Sequence, residues 1–390
     1  MSSRKTFILL FFALVLTGVL ETLVGPLIPV LSLEFSVNLT LMGLILSIHS
    51  IGILIASALS GYLIVHFSYK NIFIYSIIFS LVSSILLYFS NNYLIFSIFY
   101  FFLGVGNASI INSVSSYVCD IYKKNKSSRL LLINTGWLLG IFIAPLILSY
   151  FAWKAYQFKL IFLIIPLFQL IILFVILIRF KNPKISNDKK YTFKKVSKTL
   201  FSDKHFIISC LITFFYASTT STFSNWLTTY FKDIGIELKY STLFLSIYSA
   251  STIIGMFLKN YLLKYFPEKK ILLSSSVLSF IFLLLASLIN VISIKILFIV
   301  LFGINIIGVI SLVISFESYQ NNLLSGPING LIRSFDAIGA MLSHYFVGYI
   351  VGNFKKINIL NIVLIFLLVL LILLLLYYFY NPYSKKKAIM

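Results

Sequence analysis

Charged residues are scarce in this 390-residue sequence, since only 11% of it is Asp, Glu, Lys or Arg, while 60% is hydrophobic. A soluble domain of this length carries about a quarter charged residues. The sequence therefore lacks the polar surface that would cover a globule in water, which excludes a soluble globular protein. Lipid is the solvent that this composition fits.

Acidic residues are scarcer still, with 10 Asp and Glu against 31 Lys and Arg, and the formal net charge is +21. A nucleic-acid-binding protein would gather this charge on a folded basic face. Here the basic residues occupy short gaps between apolar runs. We therefore expect no nucleic-acid partner.

Groups that could carry catalysis are also missing. The two cysteines, Cys119 and Cys210, fall near predicted cytoplasmic helix ends, where neither a disulfide nor a metal site is expected. The sequence has no phosphate-binding glycine-rich loop with lysine, no metal-ligand cluster, and no nucleophile and base with an orienting acid. These absences predict a protein that is not an enzyme, binds no metal or cofactor, and is not driven by ATP.

Long apolar runs are what the sequence does contain. Twelve runs of roughly 20 or more residues recur, the length that spans a hydrocarbon core of about 30 Å. Each must be helical, because lipid offers no partners for free backbone groups. The first run extends to Leu33 and lacks a small-x-small cleavage site, so it is a span and not a signal peptide. The predicted spans are 6–31, 39–65, 71–90, 93–118, 130–152, 159–179, 205–231, 240–263, 270–290, 293–317, 330–352 and 358–380.

The distribution of Lys and Arg predicts the orientation of the chain in the cell membrane. With the N-terminus in the cytoplasm, 24 basic residues fall on the cytoplasmic side and 7 outside. Both termini are therefore predicted to be cytoplasmic. The longest polar segment, 181–204, is predicted to be a basic linker near anionic headgroups, without a binding role. It separates an N-terminal six-helix bundle, 1–180, from a C-terminal one, 205–390.

The two bundles are related by an internal repeat. When the sequence is shifted by 199 residues, segment 44–67 matches segment 243–266 at ten of 24 positions. The same offset places Gly104 on Gly303 and Gly140 on Gly339. Six helices restore the starting side, so the repeat is parallel, and substrate sites in such transporters lie at the repeat interface near the midplane.

These features resemble the major facilitator superfamily. Its signature after the second helix, Gly-x-Leu-x-Asp-Arg-x-Gly-Arg-Lys, is matched here by Gly61, Leu63 and Lys70, whereas Val65 holds the acidic position. The second repeat has Lys264 at that acidic position. The resemblance implies an all-α membrane protein of twelve helices in two six-helix bundles. The missing acidic residues put the family's usual gating contact in doubt.

Two branches of the family differ in how well they match. Drug/proton antiporters carry an Arg four residues before the glycine at Gly104, where this sequence has Tyr100, and their helix 5 Gly-Pro motif survives only as Gly140 and Pro145. In contrast, Asn225-Trp-Leu-Thr-Thr-Tyr230 is similar to the Asn-Trp-Leu-Pro-Thr-Tyr of fucose-permease-like carbohydrate transporters. This second resemblance implies a sugar-like substrate.

Ionisable residues inside the spans are costly in hydrocarbon, and each therefore requires a reason. Glu21 lies in the first span, roughly 20 Å from the cytoplasmic end, and His49 lies at a similar depth in the neighbouring second span. We predict that Glu21 carries a coupling proton and that His49 is its possible partner. The alternative is that both groups are hydrogen-bonded structural residues.

Hydroxyl, amide and aromatic side chains within the spans suit a polyhydroxy or amphipathic solute. The seventh span is rich in Ser and Thr, and the fourth and fifth spans carry single asparagines. Interhelical packing explains such residues equally well. The candidate substrate-binding residues are Asn112, Asn134, Trp137, Ser218, Thr222, Asn225, Trp226 and Tyr248.

The eleventh span carries a predicted gate. Arg333 and Asp336 are three residues apart on one face and can pair directly, and Glu317 at the end of the tenth span is expected to join them. Such a cluster can hold the inward side shut and break as the bundles rock. A static pair that neutralises buried charge is the alternative.

Together these observations predict a monomeric secondary transporter in the lipid bilayer that works by alternating access. A proton gradient is expected to drive a small, sugar-like solute through Glu21. The alternatives are an exporter of amphipathic compounds and a membrane sensor that does not transport, although the termini are short for a signalling domain. Function is expected where the repeats differ: Glu21 matches Thr220, His49 matches Tyr248, and Asn134 matches Arg333.

Overall fold

A computed structural model describes residues 3–122, 125–154, 157–182, 198–320, 325–354 and 358–379, and within these ranges the chain is helical with no strand. Helix α1 begins the chain, and α1 and α2 together form the first span. Helices α11 and α12 together form the tenth span. The bounds are α1 Ser3–Thr22, α2 Val24–Glu34, α3 Leu39–His66, α4 Tyr69–Phe89, α5 Tyr93–Ile121, α6 Lys126–Lys154, α7 Ile161–Arg179, α8 Lys204–Asp233, α9 Leu238–Leu262, α10 Glu268–Leu288, α11 Ile292–Ile306, α12 Val309–Gln320, α13 Ser325–Asn353 and α14 Ile359–Phe379.

Eleven of the twelve predicted spans are both long and apolar enough to cross a membrane. The twelfth is α13, whose 29 residues give a length of about 43 Å but whose sequence includes Asn329, Arg333, Asp336 and His344. These polar residues lie inside the protein, where neighbouring helices and a cavity replace lipid. The prediction of an all-α membrane protein with twelve helices in two six-helix bundles is confirmed.

Short polar residues set several helix starts in the turns between spans. The side chains of Asn38, Ser68, Asn92 and Asp203 each accept a hydrogen bond from a backbone N–H in the first turn of the following helix. This capping satisfies a backbone donor that has no partner inside the helix. The helices that follow these four residues therefore begin directly after short turns.

Two spans are not continuous helices, which the sequence pattern did not predict. In the first span the helix is interrupted at Leu23, three residues before Pro26. Pro26 has no N–H to donate to the Thr22 carbonyl, and its ring crowds that group, so the helix deviates there. In the tenth span the break comprises Ile307 and Gly308, and Gly308 has a φ of +89°, which glycine adopts without steric cost.

The two bundles meet along paired helices. Helix α3 packs against α13, α6 packs against α9, and α2 packs against α8. Small residues allow close approach, because a Cβ atom on Gly43 would overlap the backbone of His344 and Gly348. These pairings surround a central space between the bundles.

Some sequence-based expectations remain predictions. The side of the membrane on which the termini lie is one, and the domain limits at 180 and 205 are another. Residues 183–197 of the predicted basic linker lie outside the described residues. The side predicted to be cytoplasmic is called the inner side below.

Candidate functional site

A cavity of about 170 Å³ lies between the two bundles, midway along the spans. Helices α1, α3, α5 and α6 line it from the N-terminal half, and α8, α9, α13 and the broken tenth span line it from the C-terminal half. A cavity between helices, lined by apolar, aromatic and a few polar side chains, is typical of a small-molecule site.

The cavity wall follows the internal repeat residue by residue. Each of the eleven lining residues from the N-terminal half has the residue 199 positions later in the lining as well. The repeat therefore describes a two-fold-related pocket to which both bundles contribute the same helical positions. The matched pairs are Glu21 and Thr220, Thr22 and Ser221, Ile53 and Thr252, Ser57 and Met256, Ala108 and Ile307, Ile111 and Ile310, Asn112 and Ser311, Asn134 and Arg333, Trp137 and Asp336, Leu138 and Ala337, and Ile141 and Ala340.

Charge breaks this symmetry. Among the described lining residues the ionisable groups other than tyrosine are Glu21 on α1 and the pair Arg333 and Asp336 on α13. The Trp137 indole N–H donates a hydrogen bond of 2.7 Å to Glu21 Oε2. Arg333 Nη1 lies 3.8 Å from Asp336 Oδ2, and Arg333 Nε is buried without a hydrogen-bond partner.

Amide side chains are held in fixed orientations around the charged groups. Asn134 donates through Nδ2 to Ser311 Oγ at 2.9 Å, across the interface between the bundles. Asn112 donates through Nδ2 to Ser57 Oγ at 2.9 Å within the N-terminal half. Asn225 donates to the Ser221 carbonyl at 3.0 Å. All three asparagines line the cavity, and their role in substrate binding stays a prediction.

Two aromatic residues from the C-terminal half join Trp137 in the cavity wall. Tyr248 was a candidate because it replaces His49 in the repeat, and it lines the cavity from α9. Tyr216 lines it from α8 and was not singled out from the sequence. Aromatic faces beside amides and hydroxyls can hold the apolar face and the hydroxyl edge of one small solute.

His49 lies outside this wall. Its ring stacks on Tyr100 with the ring centroids 4.1 Å apart, and its Nε2 is buried without a hydrogen-bond partner. Its backbone carbonyl contacts Gly104. The hydrogen-bonding partner of Glu21 is thus Trp137, and His49 belongs to the packing between α3 and α5.

Helix α8 presents a different face to the cavity from the one that the sequence suggested. Ser218, Thr222 and Trp226 do not line the cavity. Ser218 donates to the Gly339 carbonyl of α13 at 3.1 Å, and Thr222 and Trp226 are fully buried between helices. The α8 residues that do line it, at helical spacing, are Tyr216, Ala217, Thr220, Ser221, Ser224 and Asn225.

One reason is that several hydroxyl groups on α8 donate to carbonyl groups of their own helix. Thr220 donates to the Tyr216 carbonyl at 3.0 Å, and Thr219 donates to the Phe215 carbonyl at 2.8 Å. Such back-bonding makes Ser and Thr compatible with any face of a buried helix. The polarity of these residues therefore does not show which face of α8 lines the cavity. The repeat does show it, because Thr220 matches Glu21.

Glu317 does not join Arg333 and Asp336. It lies on the inner side, where its Oε1 accepts from Ser209 at 2.6 Å and lies 2.9 Å from His205 Nδ1. All three residues are buried. This cluster ties α12 to α8 within the C-terminal bundle.

Contacts between the bundles close the cavity on the inner side. Ser127 Oγ on α6 lies 2.5 Å from Ser315 Oγ on α12, and Lys126 Nζ donates to the Ser318 carbonyl at 3.0 Å. Asn329 on α13 donates to the Asn112 carbonyl at 2.9 Å. These bonds lie between the cavity and the inner surface.

The outer side is closed as well. The backbones of Gly43 on α3 and Gly348 on α13 are in contact, and Ser149 on α6 donates to the Lys239 carbonyl at 2.9 Å. Gly25 on α2 contacts Asn225 on α8. With contacts above and below the cavity, the structure corresponds to an occluded arrangement.

Comparison with known proteins extends this description. The family model for the Major Facilitator Superfamily matches residues 10–324. A TsgA homolog of Buchnera aphidicola subsp. Baizongia pistaciae is 27% identical over 364 residues, covering 90% of this chain and 91% of the relative. A second TsgA homolog, from Buchnera aphidicola subsp. Schizaphis graminum, is 24% identical over 348 residues, covering 87% of each.

Solved structures show the same fold. The E. coli fucose:proton symporter FucP superposes with a TM-score of 0.76 at 18% identity, covering 97% of this chain and 99% of that one. FucP in the outward conformation superposes with a TM-score of 0.73 at 19% identity, covering 95% and 98%. The arrangement of the twelve spans is thus shared along the whole chain.

Proposed function

The chain belongs to the major facilitator superfamily, and from this we propose that it is a proton-coupled secondary transporter of a small, sugar-like solute. It is a multi-pass membrane protein, and we place it in the cell membrane. In this proposal the two halves, 1–180 and 205–390, rock about the central cavity and expose it to each side in turn. One chain contains the whole cavity, so a monomer suffices.

The observation that carries the proposal is the position of Glu21 in a cavity to which both halves contribute lining residues. The lining has two carboxyl groups, Glu21 and Asp336, and one permanent cation, Arg333. Asp336 is paired with Arg333, whereas Glu21 has the neutral indole of Trp137. A proton on Glu21 removes the uncompensated charge, and crossing the membrane with that charge would be costly.

Charge balance also suggests a stoichiometry. With Asp336 and Arg333 neutralising each other, one proton makes the occupied cavity electrically neutral when the solute is neutral. One proton per solute is therefore the ratio that this cavity supports. The name of FucP, a fucose:proton symporter, agrees in both the solute class and the coupling ion.

The sugar-like substrate is supported by the asparagines Asn112, Asn134 and Asn225 beside Trp137 and Tyr248. An amide can both donate to and accept from a hydroxyl group, and a carboxylate accepts from one. An aromatic face packs on the C–H face of a sugar ring. The same wall also contains Ile53 on α3, Met256 on α9, and Ile307 and Ile310 on the tenth span. This apolar part favours an amphipathic solute as the second candidate.

Uptake into proteoliposomes distinguishes these candidates. Neutral hexoses, deoxyhexoses and amphipathic cations are offered separately, with an inward proton gradient and without one. The proposal predicts that a neutral sugar accumulates only with the gradient. Accumulation of amphipathic cations in preference to every sugar would support the second candidate instead.

A further inference from the structure

The break in the tenth span leaves backbone carbonyl groups without partners inside their own helix. Helix α11 ends at Ile306, and Ile307 has an extended conformation with φ −68° and ψ 156°. The carbonyls at the end of α11 point away from any following turn, and together they carry the partial negative charge of a helix C-terminus. Buried carbonyls of this kind need a donor or a cation.

Lys259 of α9 supplies that cation. Its Nζ donates to the Asn305 carbonyl at 2.8 Å and also to the Ile307 carbonyl, on the two sides of the α11 end. The residue is only 2% exposed. No carboxylate in the described part of the chain forms an ion pair with it. The backbone carbonyls are therefore what stabilises this buried charge.

The repeat provides an internal comparison. Position 60, which matches Lys259, holds serine, and the matching span α5 runs unbroken from Tyr93 to Ile121. Ser109, which matches Gly308, is helical, and its hydroxyl donates to the Val105 carbonyl at 2.8 Å. The lysine and the break thus occur together in one half and are both replaced in the other.

Unwound carbonyls and helix C-terminal ends coordinate monovalent cations in transporters, and carbonyl oxygens replace the hydration shell of such ions. An ammonium group has the same charge and accepts the same oxygen ligands. We propose that the carbonyl cluster at Asn305 and Ile307 is a monovalent-cation site that the protein fills with its own tethered cation, the ammonium group of Lys259.

The site borders the central cavity. Gly308 and Ile307 line the cavity, and the Lys259 side chain and Met256 both lie against Gly308. Lys259 is therefore a positioning residue for this part of the wall. In this proposal the chain needs no sodium or potassium at these carbonyls. The inference concerns a different set of atoms from the substrate site and stands whether or not the solute is a sugar.

Removal of the lysine side chain should turn the cluster into a site for a free cation. In the full-length protein in detergent, Lys259→Ser copies the residue found at position 60. Its unfolding temperature is measured while lithium, sodium, potassium or methylammonium chloride replaces choline chloride at constant ionic strength. A ligand that binds only the folded state raises the unfolding temperature with its concentration.

In choline chloride we expect Lys259→Ser to have an unfolding temperature several degrees below that of the wild type. In the chloride of at least one of the smaller cations, the unfolding temperature should rise most of the way back to the wild-type value. For the wild type and for Lys259→Arg, the unfolding temperature should be the same in every salt. Lys259→Met should be destabilised and should respond to none, because its side chain fills the site without charge.

Two results would overturn the proposal. One is a Lys259→Ser protein whose stability is independent of the identity of the cation. The other is a Lys259→Ser protein that fails to fold in every salt while Lys259→Arg folds normally. Neither readout involves transport, so failure of this proposal is distinct from failure of the proposed function.

Discussion

Gly140 and Gly339, 199 residues apart, make the same contact in the two halves of the protein. A Cβ atom on Gly140 would overlap the Val15 carbonyl oxygen, and a Cβ atom on Gly339 would overlap the Phe214 carbonyl oxygen. Val15 and Phe214 are themselves 199 residues apart. Both glycines lie beside the cavity wall and bring α6 onto α1, and α13 onto α8, at backbone contact distance.

Alanine at either glycine should therefore lower the stability of the folded protein by a similar amount. Backbone atoms cannot rotate away as a side chain can, so the paired helices must separate, at a cost of about 1–3 kcal/mol for each substitution. We predict equal decreases in the unfolding temperature of Gly140→Ala and Gly339→Ala in detergent. Ser287→Ala, at a partly exposed position in the last turn of α10, is the control and should change the unfolding temperature little. A loss confined to one of the two glycines contradicts the structural equivalence.

Removal of Arg333 should expose the charge balance of the cavity. Arg333→Gln leaves the carboxyl groups of Glu21 and Asp336 without a permanent cation, and we expect at least about a ten-fold loss of solute affinity, or about 1.4 kcal/mol. The double variant Arg333→Gln/Asp336→Asn keeps the carboxyl group of Glu21 and removes both members of the ion pair. The net charge of the cavity then equals that of the wild type, so this variant should regain most of the affinity. Quenching of tryptophan fluorescence by solute measures both.

Independent effects of the two substitutions would contradict this coupling. In a double-mutant cycle, additive losses mean that Arg333 and Asp336 act separately. Asn225→Ala provides a reference for a cavity residue outside the ion pair. Its loss should add to that of Arg333→Gln without interaction.

A disulfide across the inner contacts should stop the transport cycle. Cysteines at Ser127 and Ser315, whose hydroxyl oxygens are 2.5 Å apart, join α6 of one half to α12 of the other. The native thiols of Cys119 and Cys210 are buried and free, and alanine replaces both in the background protein. We predict that oxidation abolishes uptake and that reduction restores it.

The matched control is a cysteine pair within one half. Ser80 on α4 donates to Asn107 on α5 at 2.7 Å, and both belong to the N-terminal bundle. Oxidation of that pair should leave uptake intact if the halves move as bodies. Loss of uptake in both pairs would mean that motion within the bundle is also required.

Hydropathy and the basic residues were sufficient to predict twelve spans, because lipid imposes length and helicity on every one of them. The break at Gly308 was not predictable in this way. The carbonyls that the break releases accept from Lys259, which approaches from another helix. Tertiary contacts of this kind leave no periodic signal in the tenth span itself.

The candidate site was partly predictable for a similar reason. Glu21 was identified because an acidic group in a span is costly, and the cavity and Trp137 explain its presence. The same argument pointed to His49, whose ring is accommodated by stacking on Tyr100 instead. Comparison of the repeats was the stronger guide, since both Thr220 and Tyr248 line the cavity.

Glu21→Gln tests the central claim most directly. The amide keeps the size of the side chain and an oxygen that can accept from Trp137, but it cannot carry a proton at physiological pH. We predict that Glu21→Gln proteoliposomes exchange labelled solute down its gradient but do not accumulate it against a gradient when an inward proton gradient is imposed. Glu237→Gln, at a carboxyl group on the exposed outer surface, should accumulate solute like the wild type. Uphill accumulation by Glu21→Gln equal to that of the wild type would contradict the assignment of Glu21 as the coupling group.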